Sequence, residues 1–372
     1  MRLLDRYLLR ELLTPLAFCL GGFLIFWISS DAFTNLSEFQ EDKLRLRDIL
    51  EYYLTMIPEI LVTILPIVLL LALLYTLTNQ ARHNEITAMR AAGVSLWRIC
   101  VPHLLVGLCC GSVLFVLNEW CVPRTSDRAE EIKSRYIQKP GDNQTVIRRF
   151  GFTNAREHRT WYIPEYHIKS GEMLGPQVKW ILPDNSIRHL HADSAVRTNG
   201  VWIFFNVSEL SQADASAPLL RSLQTNVLAM PEFDETPVQI QSEIRISANQ
   251  NFRNSSRRAD IPLRDILGYL QLHPNLSPAQ SAWLFTKLEG RLAAPWTCLV
   301  VVLIAIPFGA ASGRRNLFVG VAGSIFICFA FFVVQQLGLA LGSEGHLPGW
   351  LAAWAPNLLF GIAGLILTAR VR

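Results

Sequence analysis

The sequence predicts a membrane α-helical protein of six transmembrane helices with an inserted all-β domain, and three observations predict it. Only 17% of the 372 residues are charged and 51% are hydrophobic, where an ordinary soluble domain has roughly 25% charged residues. Charges are missing altogether from six windows of 19 to 28 residues, and a bilayer core takes ~20 apolar residues per helix. Between the third and fourth windows lies a long segment of soluble composition, rich in short strand-like runs. A soluble or secreted protein is excluded.

Span 1 is Leu12 to Ser30. Arg2, Arg6 and Arg10 precede it as they would precede a signal peptide. The apolar run is longer than such a peptide's, and no small-residue cleavage site follows Phe33, so it reads as a retained helix. Spans 2 to 6 are Ile60 to Ala81, Ile99 to Asn118, Leu292 to Gly313, Asn316 to Ser343 and Gly345 to Ala369. The fifth, at 28 residues, exceeds one crossing and includes interfacial residues or tilts.

Orientation follows the Lys and Arg of short loops. Arg2, Arg6, Arg10, Arg82, Arg90, Arg98, Arg314, Arg315, Arg370 and Arg372 lie on the side of the termini, against Lys43, Arg45 and Arg47 on the other. Both termini are therefore expected in the cytoplasm. The expected organisation is spans 1 to 3 over 1–123, a β domain over 124–260, a helical connection over 261–290 and spans 4 to 6 over 291–372. The segment 124–290 has 20 Lys plus Arg against 18 Asp plus Glu, so the net charge of +4 reflects membrane orientation. No clustered basic face points to nucleic acid.

Within the insert, Thr145 to Phe152, Thr160 to Lys169, Gln177 to Leu182, Ile187 to Arg197, Val201 to Leu210, Leu223 to Met230 and Val238 to Ile246 read as strands. They are β-branched and aromatic, and Gly141-Asp142-Asn143, Pro183-Asp184-Asn185 and Asn199-Gly200 punctuate them. Many short strands without intervening helices favour a sandwich or jelly roll. Val178, Trp180 and Leu182 share a face, and composition favours a plain core there over a lipid-binding interior. Asn249 to Asp260 reads as a polar linker, followed by helical Ile261 to Leu272 and Pro278 to Glu289. The seven cysteines all lie in or beside apolar windows, where a small apolar packing role suits them.

No P-loop, zinc-peptidase, serine-hydrolase or paired-cysteine metal pattern occurs. Intramembrane charges would mark function, but the windows hold none. His103 and His346 sit near window ends, where an interfacial imidazole is the expected reading and a proton relay the alternative. Gly107 and Gly111 in span 3, and Gly309 and Gly313 at the end of span 4, form G-x-x-x-G pairs that permit close packing.

The informative loop joins spans 2 and 3, from Gln80 to Ser95. Ile86, Met89 and Arg90 fall at i, i+3 and i+4, so a short amphipathic helix can lie along the membrane face. Glu85 sits in its first turn, where the dipole favours an anion, and Gly93 is placed to end it. Two readings stand: a helix receiving force from a separate ATPase, or an interfacial anchor.

Ile64-Leu65-Pro66 through Leu70-Leu71, Asn84-Glu85-Ile86 and Ala91-Ala92-Gly93-Val94-Ser95 resemble the lipopolysaccharide-export permease family, LptF/LptG. So do Leu4-Asp5-Arg6-Tyr7-Leu8 and the return helix with Arg291, Pro295 and Pro307, and the resemblance spans essentially the whole chain. It implies a multi-pass protein of the bacterial inner membrane with a periplasmic β-jellyroll. It also implies a heterodimer with a second permease on a dimeric cytoplasmic ATPase, extracting lipopolysaccharide and passing it to a periplasmic bridge. No cofactor belongs to this chain, since ATP is used by the partner.

By the same resemblance Glu85 is the coupling-helix glutamate, with Ala88, Met89, Arg90 and Gly93 around it. Spans 1 and 5 form lateral gates, and Phe26, Phe33, Phe326 and Phe329 supply apolar surface there, with Phe23 and Phe332. Trp180 and the insert's inward residues accommodate acyl chains, and Arg291 is a candidate for phosphorylated head groups. The chain departs from the family at the outer end of span 1, where Ser29, Ser30, Asp31, Ala32 and Phe33 stand in place of Lys or Arg; Lys43, Arg45 and Arg47 follow later. The alternative class is a non-transporting membrane scaffold whose periplasmic domain recruits partners.

Overall fold

The computed structural model describes residues 3–41, 45–134, 146–168, 170–213, 218, 220–251, 261–274, 276–309 and 317–370. Six helices among the described residues are long and apolar enough to cross a membrane, and each overlaps one charge-free window. They are α1 (Leu3–Thr34), α3 (Leu46–Arg82), α5 (Leu96–Val116), α9 (Pro278–Gly309), α10 (Leu317–Ser343) and α11 (Gly349–Arg370). Between them lie short α2 (Leu36–Glu41) and α4 (Glu85–Ala91), and α6 (Val122–Ser134), which continues α5 through a π-helical turn at Leu117–Cys121. Gly313, Arg314, Arg315, Lys43 and the Gly141-Asp142-Asn143 turn lie outside the described residues.

The chain forms two compact units, Met1–Tyr136 with Ser277–Arg372, and Ile137–Leu276. In the helical unit α9 packs against α3, α5, α10 and α11. The Gly107 and Gly111 pair faces α9: a Cβ on Gly107 would meet Val302 Cγ2 at 2.6 Å, and one on Gly111 would strike the carbonyl of Pro295. The small residues thus let two backbones touch within the chain. Burial is uneven. Two thirds of the apolar windows of α3 and α9 are buried (67% each), against 17% for α10 and 6% for α1.

α6 stays with the helical unit because Val122, Ala129 and Ile132 are buried. Ala129 and Ile132 join Phe39, Tyr52 and Tyr53 in one cluster. Pro278 to Glu289, expected as part of a connection, is the start of the unbroken helix α9.

The second unit holds strands β1 (Val146–Asn154), β2 (Arg159–His167), β3 (Met173–Leu174), β4 (Gln177–Ile181), β5 (Ile187–His191), β6 (Ser194–Thr198), β7 (Val201–Gln212) and β8 (Leu220–Met230). The register simplifies this list. β3 and β4 pair along β2 in one continuous step, Tyr166↔Met173 and Glu165↔Leu174, then Tyr162↔Gln177 and Arg159↔Trp180. They are two halves of one strand interrupted at Gly175-Pro176, where Pro176 has no N–H to give a ladder. β5 and β6 likewise share one register on β7, from Ile187↔Gln212 to Thr198↔Val201, so the run expected from Ile187 to Arg197 is one strand interrupted at Ala192-Asp193. The result is an antiparallel sheet in which sequential strands are neighbours, with β1 and β8 each pairing on one side only among the described residues. The Greek-key crossover of a jelly roll is not among these pairings.

Val238 to Ile246 is a correction: it is not a strand but lies in helix α7 (Pro237–Asn251). β-branched residues favour strands only weakly, and here a capping box decides. Thr236 Oγ1 accepts from Gln239 N at 3.2 Å, and Gln239 Oε1 accepts from Thr236 N at 2.7 Å, with Pro237 in the first helical position. α7 runs to Asn251, into the stretch expected as a linker, and 252–260 lie outside the described residues. Helix α8 (Leu263–Leu272) follows.

Candidate functional site

The loop between α3 and α5 is a compact built element. Asn84 takes a left-handed conformation (φ 58°) to start α4, which Asn tolerates better than most residues. The helix ends in a Schellman motif, with Gly93 N donating to Arg90 O at 3.0 Å and Val94 N to Met89 O at 3.1 Å. Gly93 has φ +85°, a conformation that carries no Cβ penalty only in glycine. Ser95 then caps α5, its Oγ accepting from Arg98 N at 3.3 Å.

The helix has two faces. Ile86 is buried in the span core, and Met89 packs half-buried beside it. Thr87, Ala88, Arg90, Ala91, Ala92 and Gly93 are exposed, so the open face is mostly small residues with one cation. Glu85 lies at the edge of that face, and its Oε2 accepts a hydrogen bond from the Tyr7 hydroxyl at 2.9 Å. Beside it, Arg98 grips Asp5 with both bonds from Nη2, at 2.8 and 2.9 Å. Asp5 and Tyr7 belong to the Leu4-to-Leu8 motif, but their partners lie 93 and 78 residues away. Sequence reading missed both contacts. The one available signal was an acid and a phenol in the first turns of an apolar span.

The gate candidates fall on exposed surface: Phe26 is 67% exposed, Phe33 80%, Phe326 72% and Phe329 65%. All four sit on α1 and α10, the two least buried spans. Phe23 and Phe332 are instead half-buried, packing on the α3 core and beside Phe331. Arg291, the head-group candidate, lies on α9. It is buried, its Nη1 donating to Asn118 O at 3.1 Å and lying 3.5 Å from Glu119 Oε2. The π turn at Leu117–Cys121 shifts the backbone hydrogen-bond pattern there, and Arg291 takes one of its carbonyls. Near the C-terminal end of α1, Asp31 accepts from Tyr53 at 3.0 Å.

In the sheet unit the inward face is filled by the chain itself. Trp161, Trp202 and Phe204 are fully buried, and Phe233, in the segment after β8, and Ile240, on α7, sit in the same cluster. Trp180 is half-buried at its margin, edge-on to Phe233 at 5.7 Å. The guanidinium groups of Arg159 and Arg188 each lie 5.4 Å from its ring, a cation–π arrangement.

Glu235 fixes this plug. Its carboxylate is wholly buried and accepts from Asn154 Nδ2 (2.8 Å), Arg159 Nη1 (3.0 Å) and Trp161 Nε1 (3.1 Å), while its main-chain oxygen accepts from Trp202 Nε1 (2.7 Å) and from Arg197. Burying a carboxylate costs free energy, which this set of donors offsets. Among the described residues no group of three or more His, Cys, Asp or Glu is placed to hold a metal.

The family described as lipopolysaccharide export system permease LptF/LptG matches residues 6–370. The chain belongs to that family. It is therefore a lipopolysaccharide export permease, a multi-pass membrane subunit that works with other Lpt components. No curated protein matches the permease. The match covers Arg6 to Leu8 of the first motif, the α4 loop, both sets of spans and the inserted sheet.

Proposed function

We propose that this permease is the membrane subunit of an ATP-driven exporter that extracts lipopolysaccharide from the inner membrane and delivers it to a periplasmic bridge. The observation that carries the ATP-driven part is α4: an amphipathic helix locked at both ends, one face in the span core and the other open, with Glu85 at its edge. A dimeric cytoplasmic ATPase docks on that face. Both termini and α4 then lie in the cytoplasm, and the inserted sheet in the periplasm, as the short-loop cations require.

The second permease of the same family covers α1 and α10, whose exposed phenylalanines make the two lateral openings for acyl chains. A bridge protein pairs with an open sheet edge, β1 or β8, by strand addition. This chain binds no cofactor; ATP belongs to the partner. Trp180 and the aromatic interior of the sheet are the acyl-facing surface, reached when Phe233 and α7 yield.

The test is co-purification of the permease with the ATPase. Glu85→Lys is expected to abolish it and Glu85→Ala to weaken it at least about tenfold, the scale of one hydrogen-bonded charge. Full assembly and lipid release in both variants would refute the docking assignment.

A further inference from the structure

The first turns of α1 are held in a way that the rest of the helix is not. Asp5, Leu8 and Leu12 are its buried residues, and from Leu13 to Thr34 none is. Over those first turns it is tied to three elements: Asp5 to Arg98 of α5, Tyr7 to Glu85 of α4, and the carbonyl of Glu11 to Thr76 of α3 at 3.1 Å. Beyond them it leans on α3 through half-buried Leu16, Cys19, Leu20 and Phe23, and towards its other end Ile28 and Ala32 pack beside Tyr52 and Tyr53 while Tyr53 donates to Asp31 at 3.0 Å.

The root is thus fixed to three elements, while the far end meets α3 through Asp31, a tie that a tilt of the helix must stretch. From Leu13 to Thr34 the helix is an arm of about 33 Å at 1.5 Å per residue, so a tilt of about 5° at the root moves the far end by about 3 Å. Tyr7 bonds Oε2 of Glu85, and among the described residues no hydrogen bond is made to Oε1, which a docking partner can take. One carboxylate can thus join an incoming protein to the root of α1.

We propose that Tyr7 is the positioning residue through which displacement of α4 is passed to α1, with the Asp5–Arg98 pair as the pivot that converts it into tilt. The proposal rests on the coupling role given above to Glu85. It assigns to α1 a driven motion, where a gate moved only by lipid pressure or by the second permease would need no bond to α4.

The experiment uses the complete exporter in proteoliposomes containing lipopolysaccharide, and reads lipid released per ATP hydrolysed. Tyr7→Phe is expected to co-purify with the ATPase and to keep its hydrolysis, yet to release at least about fivefold less lipid per ATP, the scale of one hydrogen bond to a charged group. Asp5→Arg and Arg98→Asp are each expected to lower the same ratio, and their combination to recover most of the loss, as a direct pair should in a double-mutant cycle.

An unchanged ratio in Tyr7→Phe overturns the proposal while leaving the docking role of Glu85 standing. Loss of assembly in Tyr7→Phe also overturns it, because Tyr7 would then belong to the docking surface. A double reversal no better than its parents overturns the pivot. Failure of the unmodified chain to recruit any ATPase defeats the coupling reading itself, and this proposal with it.

Discussion

Replacing Gly111 by Ala puts one methyl where α5 and α9 touch. The new Cβ would lie 3.3 Å from the carbonyl carbon of Pro295 and closer still to its oxygen. That neighbour is backbone in mid-helix, so no rotamer change relieves the contact and the two helices must part. Overpacking of this kind costs about 1–3 kcal/mol, opposed by about 1 kcal/mol of better helix propensity for Ala over Gly. Because the obstacle cannot yield, the upper part of that range applies, and a net loss of about 1–2 kcal/mol is expected.

In detergent this lowers the unfolding midpoint by several degrees, at about 2–4 °C per kcal/mol for a domain of 150–250 residues. Thiol-reactive dye is a suitable probe, since Cys298, buried on the same face of α9, is labelled only when the helices separate. Gly107→Ala should be milder, because its obstacle is the side chain of Val302. Gly21→Ala, with nothing within 4 Å, isolates the propensity term and should be neutral or slightly stabilising. A Gly111→Ala protein as stable as the Gly21→Ala control would refute the close approach of α5 to α9.

In the sheet unit, Glu235→Ala leaves the fully buried Arg159 without its closest carboxylate and should cost about 3–5 kcal/mol. Urea unfolding followed by tryptophan fluorescence reads it directly, since Trp161 and Trp202 both bond to Glu235. A loss below about 1 kcal/mol, the scale of an exposed ion pair, would refute the hub. Glu243 of α7 is buried with its Oε1 3.2 Å from Nδ1 of His273, the residue after α8, and burial pushes its carboxyl up from 4.5 to about 8. The unfolded chain releases that proton at lower pH than the fold does, so its contribution to stability is full below about pH 4.5 and is lost as pH rises to about 8. Burial lowers His273 below its usual 6.5, which acts the other way, lowering stability as pH falls below that value. Glu243→Gln should therefore stabilise the unit more at pH 8 than at pH 5, and an equal effect at both would refute the buried neutral acid.

The sequence alone determined the six spans, the place of the insert and the helix at Glu85. Each is set by a sum over contiguous residues: transfer of about twenty apolar side chains into lipid, alternation along a strand, or a cap and a glycine seven to nine residues apart. Where two local signals compete composition misleads, as at Val238 to Ile246, whose β-branched residues point to a strand while the Thr236 to Gln239 cap starts a helix. What tertiary structure decided are the contacts between distant positions: Tyr7 with Glu85, Arg98 with Asp5, Arg291 with the π turn, and Phe233 seated in the face of the sheet. Their energies depend on distance and burial in space, and one charged residue in a helix end looks the same in sequence whether it meets water, lipid or a phenol 78 positions away.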